Sequence, residues 1–301
     1  MITTLISLVA AGTLGTTEIH STETLIMPWN ETVLIEETTL PSKQENKLAP
    51  VLDAKASLAV DLKSGLILHH NNIHKPLYIA SLTKLMTAII IIEEHDLSEK
   101  VIVPSEAVQT EGSKIWLYQG EEITVENLLY ASLINSGNDA AIALAIHNSG
   151  SVAKFVDKMN EKAEELNLTQ TTFINPTGLD ESSNNENTPD GNISTAYDLA
   201  LLGRYAYGKS FIRRAVSKKE YEIESTDGNL THKLESTNRL LDSYLNVLGL
   251  KTGTTDKAGE CLITIINNGN ERDILTVVLN SPNRYQETKV LAEWSFNTYT
   301  W

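Results

Sequence analysis

The chain has 301 residues, 41% of them hydrophobic and 21% charged, a globular mixture long enough to bury a substantial core, as one large domain or as two lobes around a cleft. Lys and Arg number 24 against 39 Asp and Glu, and the resulting net charge of -15 repels phosphate backbones, which argues against nucleic acid as a partner. Cys261 is the single cysteine, so an intrachain disulfide is excluded.

Residues 1–15 (MITTLISLVAAGTLG) are apolar and small, like the core of a signal peptide or an N-terminal membrane anchor. They lack a leading Lys or Arg, and a spanning helix needs roughly 20 apolar residues, so export is suggested without being demonstrated. Residues 16–47 are rich in Thr and Glu and poor in aromatics. They read as a linker, with one short strand expected at 32–35. A compact domain is expected over 48–301.

Within that domain, residues 56–61 and 66–70 flank Lys63-Ser64-Gly65, a hairpin signal because Gly tolerates the positive φ of a tight turn. His69, His70 and His74 lie at the strand end and in the loop that follows. They read as surface side chains rather than metal ligands, since neighbours on a strand face opposite ways. A helix is expected from Ala80 or Ser81 to about His95, and helical patterning resumes from Val125 through NLLYASLI and NDAAIALAIHN. Residues 151–166 form an amphipathic pattern with Ser151 as N-cap. Residues 181–192 read as a loop and 196–207 as a helix. Residues 261–267 and 274–279 are β-type runs around a turn at 268–270, and a last helix is expected over 284–297. Strands at both ends and helices between them predict an α/β (α+β) lobe built from both chain ends, with a mostly helical lobe inserted and a cleft between the two.

No G-x-S-x-G elbow, H-E-x-x-H or Walker loop is present, so a Ser–His–acid hydrolase, a zinc protease and a nucleotide hydrolase all lack their anchors. Ser81-Leu82-Thr83-Lys84 places a Ser and a Lys on one helix face. A desolvated, neutral Lys can take the Ser proton, and a helix start directs its dipole at a developing oxyanion. The same pattern recurs at Ser151 to Lys154, where it heads an ordinary amphipathic helix and reads as a capped surface turn. The copy at Ser81 precedes a strongly apolar helix, which half-buries both groups. Ser136-Gly137-Asn138 lies between two apolar helical runs, as a polar turn facing a cleft or as a simple helix–helix turn with a capping Ser. Lys251-Thr252-Gly253 occurs once. On a strand edge it offers a cation and a hydroxyl to a carboxylate and a backbone that a ligand can approach; otherwise it is a strand end with an exposed Lys.

The order S-x-x-K, S-x-N, K-T-G resembles the signature of the penicillin-recognising serine enzymes. The flanking sequences IASLTKLMTA, NSGNDAA, NPTGLD, STAYDLA and GLKTGTTDKAGEC resemble the D-alanyl-D-alanine carboxypeptidases among the low-molecular-weight penicillin-binding proteins, over roughly 49–301. The resemblance implies a transpeptidase fold of the penicillin-binding-protein and β-lactamase type, with an antiparallel sheet flanked by helices plus a mostly helical lobe. It implies that Ser81 forms an acyl-enzyme, that Lys84 is its base and that Ser136 relays a proton to the leaving D-alanine. Asn138 lines the same wall as Ser136, Lys251 and Thr252 hold the substrate's terminal carboxylate, Gly253 lets the backbone approach the substrate, and the N–H groups of Ser81 and Thr254 form the oxyanion hole. It further implies a peptidoglycan pentapeptide as substrate, β-lactams as covalent inhibitors, no metal or other cofactor, and a place outside the cytoplasm, in the cell envelope. Many such proteins continue into a β-rich domain and a membrane-binding helix. This sequence ends at Trp301, so any tether is expected in residues 1–15. A class A β-lactamase is disfavoured because Gly137 stands where S-D-N has Asp. An endopeptidase of the same fold uses the same residues, and an inactive wall-binding module is disfavoured by their full set.

Overall fold

The computed structural model describes residues 3–5, 24–28, 40–45, 47–181, 190–269 and 272–301. The strand expected at 32–35 and most of the loop expected at 181–192 lie outside them. The centre is a five-stranded antiparallel sheet in the order Asn246–Thr255, Gly259–Asn267, Asp273–Ser281, Ala56–Asp61, Ile67–Asn71. Both ends of the chain therefore build one sheet, and the C-terminal hairpins supply the strand at its free edge. Side-chain alternation sorts the sheet into two faces. Leu58, Val60, Ile263, Ile265, Leu275 and Val277 enter the larger core, whereas Ala59, Leu262, Ile266, Ile274 and Val278 face a smaller core with Leu291 and Ala292. Both faces are covered, so these strands are apolar throughout rather than alternating.

Eight helices surround or extend this sheet among the described residues: α1 (Lys84–Glu94), α2 (Ser105–Gln109), α3 (Val125–Ile134), α4 (Asn138–Ser149), α5 (Val152–Glu165), α6 (Ala196–Gly208), α7 (Ser210–Val216) and α8 (Arg284–Thr298). Helix α1 is buried from Lys84 to Ile91, which explains a helix with no polar face in its first two turns. Side-chain oxygens start several helices by accepting an orphan N–H: Thr124 for α3, Thr195 for α6 and Asn283 for α8. The second S-x-x-K belongs to this class, since Ser151 Oγ accepts from Lys154 N and caps α5.

Some elements depart from the sequence reading. Two small two-stranded sheets, Lys100–Ile102 with Glu122–Thr124 and the hairpin Glu220–Glu224 with Thr231–Glu235, form in stretches with no strand expectation. His69, read as a surface residue, is buried: Ser57 Oγ lies 3.0 Å from its Nε2, and burial lowers its pKa to about 4. The strand alternates faces as expected, but both faces are covered here. Contacts with the domain also begin upstream of residue 48. Met27 is buried in the main core, and Ser42–Lys43 pairs with Tyr299–Thr300. Residues 3–5, read as part of a leader or anchor, pair antiparallel with Thr24–Ile26. No helix among the described residues is long and apolar enough to cross a membrane.

Candidate active site

Ser81 sits in a short 3-10 helix, Ala80–Thr83, that runs directly into α1. Ala80 adopts φ +48, a left-handed conformation that costs a residue with a Cβ about 1 kcal/mol or more. Thr83 Oγ1 donates to the Ala80 carbonyl at 2.8 Å and holds the turn. Asn192 Nδ2 donates to that same Thr83 hydroxyl, also at 2.8 Å.

One turn on, Lys84 is fully buried and its Nζ meets three oxygens: Ser81 Oγ at 2.9 Å, Asn138 Oδ1 at 2.7 Å and the Thr177 carbonyl at 2.7 Å. Burial lowers the Lys84 pKa well below its ordinary value, the Lys251 ammonium lowers it further, and the Asp139 carboxylate opposes them. The proton inventory then decides what this Lys can do. A neutral amine has two N–H bonds and one lone pair. Asn138 Oδ1 and the Thr177 carbonyl can only accept, so they take the two N–H bonds. The lone pair is left for the one neighbour that can also donate, Ser81 O–H. The arrangement thus favours a base directed at a nucleophile.

The Thr177 carbonyl belongs to the loop Asn175-Pro176-Thr177-Gly178. Asn175 Oδ1 accepts from Thr177 N, Thr177 Oγ1 and Gly178 N at 3.2, 3.0 and 2.7 Å, folding the loop on itself. Thr87 Oγ1 on α1 donates to the Pro176 carbonyl at 2.8 Å. Gly178 has φ +85, and a methyl group on it would lie 1.9 Å from the Ala80 carbonyl oxygen, so the loop rests on the turn that carries Ser81. Asp180 ties the same loop to the sheet, accepting from Thr255 Oγ1 at 3.0 Å and from Lys257 N at 3.2 Å.

On the opposite wall, Ser136 is buried with φ +60 in the turn between α3 and α4. Among the described residues no hydrogen bond joins it to Ser81 or Lys84, so the relay expected of it is not drawn as a contact. Two positions later, Asn138 donates its N–H to Ser113 O and its Nδ2 to Glu111 O, both at 2.7 Å, while Oδ1 serves Lys84. The neighbouring Asp139 is buried, and its carboxylate accepts from the N–H groups of Ile115, Leu117 and Ala140.

The third side is the edge strand Asn246–Thr255. A methyl group on Gly253 would lie 2.9 Å from Ser81 N and 3.0 Å from Ile79 O, so only a bare backbone passes this close to the Ser81 N–H. Lys251 is buried, donates to the Thr252 carbonyl at 3.1 Å, and has its pKa lowered to about 7 by burial and by the nearby Arg284 guanidinium. Thr252 Oγ1 lies 2.5 Å from Thr237 Oγ1. Arg284, at the start of α8, donates Nη1 to the Gly253 carbonyl at 2.8 Å and to Thr254 Oγ1. Ser81, Lys84 and Asn138 are thus joined by hydrogen bonds, Gly253 abuts Ser81, and Lys251 acts on Lys84 through its charge. Sequence reasoning assigned no role to Thr177, Asn175, Asn192, Asp139 or Arg284. The NPTGLD and NSGNDAA stretches were the available signal for the first, second and fourth of these. Asn192 and Arg284 stand apart from any motif.

His95, Glu99 and His147 form a group whose ligand atoms lie within 4.8 Å of one another, the spacing a metal ion would need. Hydrogen bonds already join them: His95 Nδ1 and His147 Nε2 lie 2.9 and 3.2 Å from Glu99 Oε2, and Asn148 Nδ2 lies 3.0 Å from His95 Nε2.

A family model described as D-alanyl-D-alanine carboxypeptidase matches residues 43–283. The D-alanyl-D-alanine carboxypeptidase DacF of Bacillus subtilis (strain 168) is 36% identical over 268 residues, covering 86% of this chain and 66% of the relative. The D-alanyl-D-alanine endopeptidase of Escherichia coli (strain K12) is 30% identical over 242 residues, covering 78% of this chain and 74% of that protein. The ampicillin-bound penicillin-binding protein D2 of Listeria monocytogenes superposes with a TM-score of 0.70 at 32% identity, covering 83% of this chain and 99% of that one. The chain spans a little under two thirds of the length of the first curated relatives, 66% and 63%.

Proposed function

This chain belongs to the D-alanyl-D-alanine carboxypeptidase family, and from that premise we propose that it removes the terminal D-alanine from peptidoglycan stem peptides through an acyl-enzyme on Ser81. The observation that carries this reading is the set of contacts at Lys84, whose two fixed acceptors leave its lone pair for the Ser81 hydroxyl. Lys84 takes the Ser81 proton as Oγ attacks the carbonyl of the penultimate residue. The oxyanion forms beside the N–H groups of Ser81 and Thr254, on the side where the bare Gly253 backbone admits it. The C–N bond then breaks, and the D-alanine amine leaves with a proton passed through Ser136. Water, deprotonated by Lys84, hydrolyses the ester.

Lys251 and Thr252 receive the substrate's terminal carboxylate, with Arg284 adding positive charge behind them. Asn138 holds Lys84 in place. A penicillin opens its lactam ring on Ser81 by the same first step, and its ester persists. A peptidoglycan substrate and a β-lactam inhibitor both support a place outside the cytoplasm, in the cell envelope, with residues 1–15 as the segment for a tether.

The test is mass spectrometry of peptidoglycan fragments after incubation, with fluorescent penicillin labelling alongside. The wild type should release one alanine per pentapeptide and label covalently, and Ser81→Ala should do neither. Activity retained by Ser81→Ala but lost by Ser151→Ala would overturn the assignment. A second reading, cleavage of cross-links, is favoured by the endopeptidase relative, and cut cross-bridges in the same spectra would establish it.

A further inference from the structure

Beside the catalytic wall, residues Glu111 to Glu121 form a loop that displays two large aromatics to solvent. Trp116 is 72% exposed and Tyr118 60%, while Ile115 and Leu117 before and between them are buried. This exposure is held in place by several independent contacts. The Asp139 carboxylate accepts from Ile115 N at 3.1 Å and Leu117 N at 3.2 Å, on either side of Trp116. His232, nearly buried, places Nδ1 3.1 Å from the Ile115 carbonyl and Nε2 2.8 Å from Glu121 Oε1. Both ring nitrogens thus face acceptors, the arrangement of an imidazolium, and the Glu121 carboxylate raises the His232 pKa accordingly. Glu121 Oε2 in turn accepts from Tyr118 N at 3.0 Å.

Trp116 also adopts φ +64, an uncommon conformation for so bulky a residue. Two large aromatics held together outside the core by a braced loop, one of them in a strained backbone conformation, bury little of their surface on folding, and a ligand accounts for that paired exposure. The loop is part of the catalytic wall, because Asn138 donates to Glu111 O and Ser113 O while holding Lys84.

Building on the carboxypeptidase reading, we propose that Trp116 and Tyr118 form a stacking subsite for a sugar ring of the glycan strand that bears the stem peptide. The stem's C-terminus lies at Ser81, and four extended residues upstream of the scissile bond reach about 13 Å, which carries the attached sugar out of the cleft to its rim. Alanine methyl groups on the stem are too small to cover an indole. A pyranose ring has the width of the plate, an apolar face of C–H bonds to lay on it, and hydroxyls left pointing to water. Lys114 Nζ lies over one face of the Trp116 ring, 5.3 Å from its centre, so the sugar stacks on the opposite face.

The experiment compares D-alanine release from a free pentapeptide and from the same pentapeptide on its disaccharide, using the full chain. Trp116→Ala should raise KM for the disaccharide substrate about tenfold, roughly one contact's worth of affinity, and leave the free pentapeptide and penicillin acylation within about twofold. Trp116→Phe should recover most of the loss. Equal loss on both substrates, or no loss on either, overturns the subsite. Calorimetric binding of the disaccharide-pentapeptide to Ser81→Ala, with and without Trp116→Ala, reads the subsite without turnover. A wild type that releases no D-alanine from either substrate would overturn the carboxypeptidase reading, while a Trp116-dependent binding signal would leave the sugar subsite standing.

Discussion

Gly178→Ala tests the link between the loop 175–178 and the reactivity of Ser81. The new Cβ would lie 1.9 Å from the Ala80 carbonyl oxygen and 2.8 Å from Ser81 N, against the 3.0 Å below which real Cβ contacts essentially never occur. The loop must therefore retreat by about 1 Å, and φ +85 costs an alanine a further ~1–2 kcal/mol. The carbonyl of the adjacent Thr177, now 2.7 Å from Lys84 Nζ, moves out of hydrogen-bonding range. One N–H of the neutral amine then loses its fixed acceptor, and the lone pair is no longer confined to Ser81. A buried N–H left without its acceptor costs about 1–3 kcal/mol, so acylation should slow by roughly five- to a hundredfold. The assay is the second-order rate of fluorescent penicillin acylation, with circular dichroism and a melting curve to establish that the variant is folded. Acylation within about twofold of wild type by a folded Gly178→Ala protein would refute the role given to the Thr177 carbonyl.

Two further outcomes follow from the charges around the cleft. The kcat/KM for a free-carboxylate substrate should be bell-shaped in pH. It rises as Lys84 loses its proton through its lowered pKa, and falls above about 7 as Lys251 loses the charge that meets the carboxylate. Arg284→Gln removes the cation that lowers Lys251, so the alkaline limb should move upward, which a pH profile of pentapeptide hydrolysis measures. Asp139→Ala strips three backbone N–H groups of their acceptor in a buried site, a loss of about 2–5 kcal/mol that should appear as a melting temperature lower by roughly 5–15 °C.

The three motifs were legible because each rests on local chemistry: a Ser and Lys one helical turn apart, a polar turn between apolar helices, and a Lys-Thr-Gly on a strand. Their order and flanks were enough to place the family, and the apolar run behind Lys84 marked that Lys as half-buried, where the structure buries it fully. The hairpin at 220–235 carries a sequence signal, since EYEIE and THKLE alternate polar and apolar residues around Asp227-Gly228. The pairing of 100–102 with 122–124 was not legible, because three-residue strands far apart in the chain show no period-2 pattern. His69 was misplaced because local alternation does not reveal that a second layer, carrying Trp294, covers the outer face.

By itself the sequence determined which residue types are available, in what order, and that the Ser and Lys proposed as nucleophile and base share one helix face. Only the tertiary structure decided the surroundings of that Lys, which favour its neutral form beside Ser81. Lys84 is desolvated by a core assembled from both chain ends, repelled by Lys251 from the sheet edge, and emptied of free N–H bonds by Asn138 and by a main-chain carbonyl at Thr177. A carbonyl oxygen is common to every residue, so no side-chain pattern announces it, and its position is set by the loop that Gly178 allows to rest on the turn bearing Ser81.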